Sequence, residues 1–161
     1  MRVLLLSDTH LTDPKKMPTR LLAEISTSDC VLHAGDFTSF KVVELLETES
    51  SFIGVAGNND SSELQEKLGY KQRFELAGYR IGMVHGDLGV GKTTLDRALN
   101  SFADCELDLL IFGHSHQPYL KKHGDTWVVN PGSPTNRRNS PSYSYGLMEL
   151  GTELQVQLVY Y

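Results

Sequence analysis

Two cysteines in 161 residues, Cys30 and Cys105, leave no material for a disulfide framework, and neither sits in a C-x-x-C pair that would mark a thiolate metal site. Basic residues are also few: fifteen Lys and Arg against twenty Asp and Glu give a formal charge of -5. Binding to a phosphate backbone needs clustered cations that release counterions, so no dedicated nucleic-acid surface is expected, and the pair Arg137 and Arg138 is too small to supply one. Long apolar runs are missing as well. The opening MRVLLLSDTH has only four apolar residues in a row after its single basic residue, far short of a signal-peptide core or a membrane span. It reads as a buried strand. No linker or low-complexity segment interrupts the chain, so one domain over residues 1–161 is expected, in a reducing, cytoplasmic setting without a membrane partner.

What the chain does have is rhythm. Short apolar runs alternate with helical patterns through RVLLLS, TRLLAEIS, DCVLHAG, KVVELLE, SFIGVAG and SSELQEKL, the order expected of a largely parallel sheet with helices on its faces. A further strand, YRIGMVH, precedes a helix over about 93–102, and LDLLIFG follows it. Beyond that, PYLKK, TWVVN, SYGLMEL and ELQVQLVYY are separated by the turn signals HGD, PGSP and GTE, which predicts an antiparallel meander. The expected architecture is α/β, a mixed sheet packed on a second sheet.

Residues 86–93, GDLGVGKT, match the phosphate-cradling pattern G-x-x-x-x-G-K-[ST], between a predicted strand and a predicted helix. A nucleotide site would also need a strand that ends in a magnesium-binding Asp, whereas the next strand ends in Gly-His and the chain then turns antiparallel. The more informative signal lies at the strand ends. SDTH places Asp8 and His10 two residues apart, which in extended chain would point both side chains the same way. HAGD supplies Asp36, VAGNND supplies Asn58 and Asn59, MVHGD supplies His85, and FGHSH supplies His114 and His116. Polar side chains from five strands would meet at the carboxyl edge of the sheet, where open α/β sheets bind ligands. Carboxylates, an amide and imidazoles without a thiol suit Mn, Fe, Zn, Ni or Mg better than a structural zinc.

Taken in order, D-x-H, G-D, G-N, H-G and G-H-x-H resemble the motif set of the calcineurin-like metallophosphoesterases, specifically their small single-domain phosphodiesterase branch, and NPGSP (Asn130 to Pro134) belongs to the same likeness. The resemblance spans residues 8–134. It implies a two-sheet sandwich flanked by helices in αββα layers. It also implies two divalent ions, manganese first among the candidates. One would be held by Asp8, His10, Asp36 and His116, the other by Asp36, Asn58, His85 and His114, with Asp36 bridging. The implied activity is hydrolysis of a small phosphodiester or phosphoester by a metal-bridging hydroxide. Many members of the wider superfamily carry histidine where this chain has Asn59, so Asn59 is expected to bind substrate by hydrogen bonding and cannot act as an acid.

Bland readings stand beside these. Asp8 and His10 could cap a helix, Asp36 could cap the helix that starts near Ser39, and Asn58 and Asn59 could be turn residues. His33 reads as a packed histidine and His123 as a solvent-exposed one. NPGSP reads equally as a strand-ending turn or a substrate-facing loop. Two other functions remain open: a non-catalytic interaction scaffold of the same fold, and nucleotide binding at 86–93.

Overall fold

The computed structural model describes residues 1–161. Strands β1 (Arg2–Leu6), β2 (Cys30–His33), β3 (Ser51–Gly54), β9 (Ser144–Leu150) and β10 (Leu154–Tyr160) form one sheet in the order β10-β9-β1-β2-β3. The second sheet, β4 (Lys71–Leu76), β5 (Tyr79–Val84), β6 (Leu109–Ile111), β7 (Tyr119–His123) and β8 (Thr126–Asn130), runs β4-β5-β6-β8-β7. Helices α1 (Thr19–Thr27), α2 (Phe40–Glu49), α3 (Ser62–Leu68) and α4 (Thr94–Ser101) complete the fold, with a short 3-10 turn at Pro14–Lys16.

Alternation along each strand sorts side chains into layers. Val3 and Leu5 of β1 face Ile81, Met83, Leu109 and Ile111 across the gap between the sheets. Leu4 and Leu6, one residue out of phase, join Leu21, Ile25, Val43 and Leu46 of α1 and α2 on the outer face. On the opposite outside, α4 contributes Ala98 to a cluster with Val84, Leu110 and Phe112. Helix, sheet, sheet and helix therefore stack as the αββα arrangement requires. β1, β2 and β6 read as unbroken apolar runs because both of their faces are buried. β4 reads poorly for the opposite reason: it is an edge strand whose residues alternate between exposed and half-buried.

The predicted meander is corrected. β7 and β8 pair antiparallel, but β8 lies parallel beside β6 in the second sheet, whereas β9 crosses to the first sheet and runs antiparallel to β1. The stretch between them, residues 131–143, is the crossover. Apolar alternation marks a strand's buried face but does not name the neighbour that covers it.

Candidate metal centre

β1, β2 and β3 are mutually parallel, as are β5 and β6, so the loops that follow them emerge at one edge. Asp8 and His10 reach the site by a different route from the one their spacing suggests. β1 ends at Leu6, and Asp8 and His10 lie beyond it with φ of 55° and 45°. Asp36, His114 and His116 adopt the same left-handed conformation, at 63°, 67° and 56°. Such backbone costs a non-glycine residue about 1–2 kcal/mol and persists only where its surroundings impose it. Here cross-loop hydrogen bonds impose it: Asp8 N–H donates to Gly35 O at 2.9 Å, His10 N–H to Asp36 O at 3.0 Å, and Gly113 N–H to His85 O at 3.0 Å. The approach is close enough to require glycine. A Cβ on Gly113 would stand 1.9 Å from Ser7 Oγ, and one on Gly35, whose φ is 94°, would stand 2.8 Å from His85 Nδ1.

Hydrogen bonding selects which atom of each side chain faces the centre. Asp8 Oδ2 accepts from Ser7 Oγ at 2.6 Å and His114 N–H at 3.0 Å, leaving Oδ1 buried and without a hydrogen-bond partner, 3.2 Å from His116 Nε2. His85 donates Nδ1–H to Ala34 O at 2.7 Å, which turns Nε2 inward, again buried and without a hydrogen-bond partner. His116 is held likewise through Nδ1 by Asn136 O. Asp36 Oδ1 accepts Asn59 N–H at 2.9 Å, while its Oδ2 lies 3.4 Å from both His10 Nε2 and His85 Nε2. The Nε2 atoms of His10 and His116 face each other at 3.1 Å. Two compact donor sets result, Asp8 with His10 and His116, and Asp8 with Asp36 and His85. Buried donor atoms without partners are what a cation would satisfy, and this mixture of imidazole and carboxylate can hold a divalent one.

Electrostatics agrees. Burial opposes ionisation of Asp8 and Asp36, yet His116 and His85 outweigh it for Asp8, and His85 and Asn59 outweigh it for Asp36, so both carboxyls lie below their ordinary range. Burial also opposes protonation of His85, but the Asp36 and Asp8 carboxylates push its pKa up to about 9. The cavity favours positive charge at that point. Desolvation lowers His10 and His114, which keeps them available as neutral donors.

Asn58 and His114 stand outside the two compact sets, meeting each other with His114 Nδ1 3.1 Å from Asn58 Oδ1. Asn59 turns toward Asp36, donating Nδ2–H to Oδ2 at 2.7 Å. NPGSP lies under the loops: Asn130, fully buried, donates to Gly113 O, and Ser133 Oγ donates to Asp8 O. His123 is exposed and bonds Tyr119.

The residue that sequence reasoning passed over is Asp60. Its carboxylate, 5% exposed, accepts from the backbone N–H groups of Asp36, Gly57 and Thr38 at 2.8–2.9 Å. The signal was present in GNND, but two of its three partners, the Asp36 and Thr38 amides, lie in a different loop.

His33 is packed, as read. Gly35 N–H donates to its Nδ1, the other ring nitrogen bonds Thr9 Oγ1, and Phe37 stacks on it at 3.8 Å between centroids. Burial lowers its pKa to about 3. Between the ordinary value of 6.5 and 3, the unfolded chain binds a proton that the folded chain does not, so stability falls as pH falls. By pH 5 the expected loss from this group is about 2 kcal/mol. Urea denaturation at pH 7 and pH 5 should show that slope in the wild type and a shallower one in His33→Gln; equal slopes would refute it.

The family model for the calcineurin-like phosphoesterase superfamily domain matches residues 1–153. A probable metallophosphoesterase of Methanothermobacter thermautotrophicus is 32% identical over 161 residues, covering 99% of this chain and 92% of that protein. A phosphodiesterase of Methanocaldococcus jannaschii is 26% identical over 144 residues, covering 82% of this chain and 83% of its own. Among solved structures, Vps29 of Chaetomium thermophilum superposes with a TM-score of 0.80 at 21% identity, covering 99% of this chain and 97% of that one. That likeness concerns the fold. With the five strand-end motifs gathered at one edge and the family model spanning nearly the whole sequence, the chain belongs to the calcineurin-like phosphoesterase superfamily.

Proposed function

We propose that the protein is a phosphodiesterase that works with two divalent cations, manganese first among them. Asp8, His10, Asp36 and His116 would hold one and Asp36, Asn58, His85 and His114 the other. The observation that carries this reading is the position of Asp36 Oδ2, 3.4 Å from an imidazole of each set, beside the partnerless Asp8 Oδ1 and His85 Nε2. When bound, a pair of divalent ions supplies Lewis acidity at phosphorus and lowers the pKa of water. The chain's own residues do the rest. Asp8 and Asp36 contribute negative charge that a cation pair must meet, while Ala34 O and Asn136 O fix the ring orientations of His85 and His116. Asn58 offers a neutral oxygen, which leaves the centre more positive than a third carboxylate would. The intact donor set favours hydrolysis over an interaction scaffold.

Asn59 can donate a hydrogen bond but no proton at neutral pH. A general acid is worth roughly 10²–10⁴-fold on a poor leaving group. Hydrolysis of aryl phosphodiesters should therefore slow steeply as leaving-group pKa rises, and Asn59→His should flatten that dependence. A rate indifferent to leaving group in the wild type would refute this. The overall reading is tested by stripping the protein with a chelator and assaying diaryl and monoaryl phosphates after adding back manganese. Restored diesterase activity is expected. None with any of Mn, Ni, Fe, Zn or Mg would overturn the proposal.

A further inference from the structure

The GKTT segment that resembles a phosphate cradle has no part in the centre described above, but it forms one wall of a cavity of about 420 Å³ beside it. Leu95 of α4 lines it together with Phe112, Pro118 and Tyr119. Phe112 is almost fully buried and meets Tyr119 edge-on, with ring centroids 6.1 Å apart at 60°. Lys92 and Gln117 lie exposed among the lining residues. The cavity is tied to the donor loops at two points. Ser115, which lines it, sits between His114 and His116 and is held by Asn130 Nδ2 at 3.1 Å. Arg97, which also lines it, donates Nε–H to the carbonyl of Gly86, next to His85, at 2.7 Å.

The geometry points to this cavity as the subsite for one organic arm of the phosphodiester, a planar aromatic group that stays on phosphorus after hydrolysis. The inference rests on the phosphodiesterase reading above. The volume falls in the range of small-molecule pockets, roughly 300–1,000 Å³. Its apolar lining, Leu95 and Pro118 with the half-buried Tyr119 ring backed by Phe112, suits a flat arm through stacking and area burial, and the Gln117 amide offers hydrogen bonds to polar atoms at that arm's edge. Every lining residue comes from the β5–α4 segment, from α4, or from the segment running from the end of β6 into β7, all on the second-sheet side. Asn59, the position where the superfamily acid would meet the leaving group, is bonded to Asp36 on the first-sheet side. The leaving group and the retained arm therefore occupy opposite sides of the centre. Lys92 adds positive charge for arms that carry a further anionic group.

Two diesters with one leaving group isolate the retained arm: phenyl 4-nitrophenyl phosphate and methyl 4-nitrophenyl phosphate, assayed on manganese-loaded full-length protein. The wild type is expected to prefer the phenyl ester by at least tenfold in kcat/KM, largely through KM. Tyr119→Ala should cut that preference at least fivefold, and Leu95→Trp, which fills the cavity, should do the same. The preference is a ratio, so a loss of folded protein, which lowers both rates together, does not imitate the effect. A wild-type ratio near one, or a ratio unmoved in both variants, overturns the subsite. Its failure is distinct from that of the parent reading, because no hydrolysis of either ester with any metal would overturn the phosphodiesterase itself.

Discussion

Asp36→Asn is expected to lower metal-dependent diester hydrolysis by roughly a thousandfold, about 4 kcal/mol of transition-state stabilisation. Asp36 Oδ2 lies 3.4 Å from both His10 Nε2 and His85 Nε2, one imidazole from each donor set. Asparagine keeps the shape but removes the negative charge. Whichever way its amide turns, one position now carries N–H: either toward the two histidines or toward the N–H of Asn59 that Oδ1 accepts at 2.9 Å. The variant should bind two equivalents of manganese poorly by calorimetry while keeping its circular dichroism spectrum. Equal activity in the two proteins would sink the dinuclear assignment. Loss of activity with two-metal binding intact would move Asp36 from bridging ligand to another role.

Asp60→Ala is expected to destabilise the fold by about 3 kcal/mol or more. Three backbone N–H groups, those of Asp36, Gly57 and Thr38, end on this one carboxylate. Removing an acceptor from a buried donor costs about 1–3 kcal/mol each, and water that enters the gap would recover part of it. Native stability of a domain this size is about 5–15 kcal/mol, so the loss would be a large share. The carboxylate sits there at a cost, since burial raises its pKa against the pull of those same donors. The same bonds fix the left-handed turn that aims Asp36, so metal affinity should fall with stability. Asp60→Asn, which keeps one carbonyl oxygen for part of the set, should lie between. An alanine variant within 1 kcal/mol of wild type by urea denaturation would show that the loops are held elsewhere.

The strand-end motifs stand out in the sequence because chemistry restricts residue type after apolar runs, and the structure gathers Asp8, His10, Asp36, His85 and His116 from them into two compact donor sets, with Asn58 and His114 outside those sets. The β-α-β order of the first half was legible for a similar reason, since strands covered on both faces leave unbroken apolar runs such as the VLLL of β1 and the CVL of β2. GDLGVGKT, by contrast, is a short pattern that many loops satisfy, and its surroundings decide its meaning. In the structure it leads into α4 through a Thr93–Asp96 capping box, the ordinary start of a helix.

By itself, the sequence determined the β-α-β order of the first half, the residue types at the carboxyl edge and the scarcity of cysteine and of basic residues, because these depend on local pattern and composition. Only the tertiary structure decided that β8 and β9 part company into different sheets, that Asp8 and His10 converge through left-handed backbone instead of strand alternation, and which atom of each donor is free. Each of those depends on a partner distant along the chain: β1 and β6 for the two strands, Gly35 O and Asp36 O for the turn after β1, Ala34 O for His85. Asp60 marks the boundary. Its carboxylate is plain in the sequence, but its role exists only once the Asp36 and Thr38 amides are folded against it.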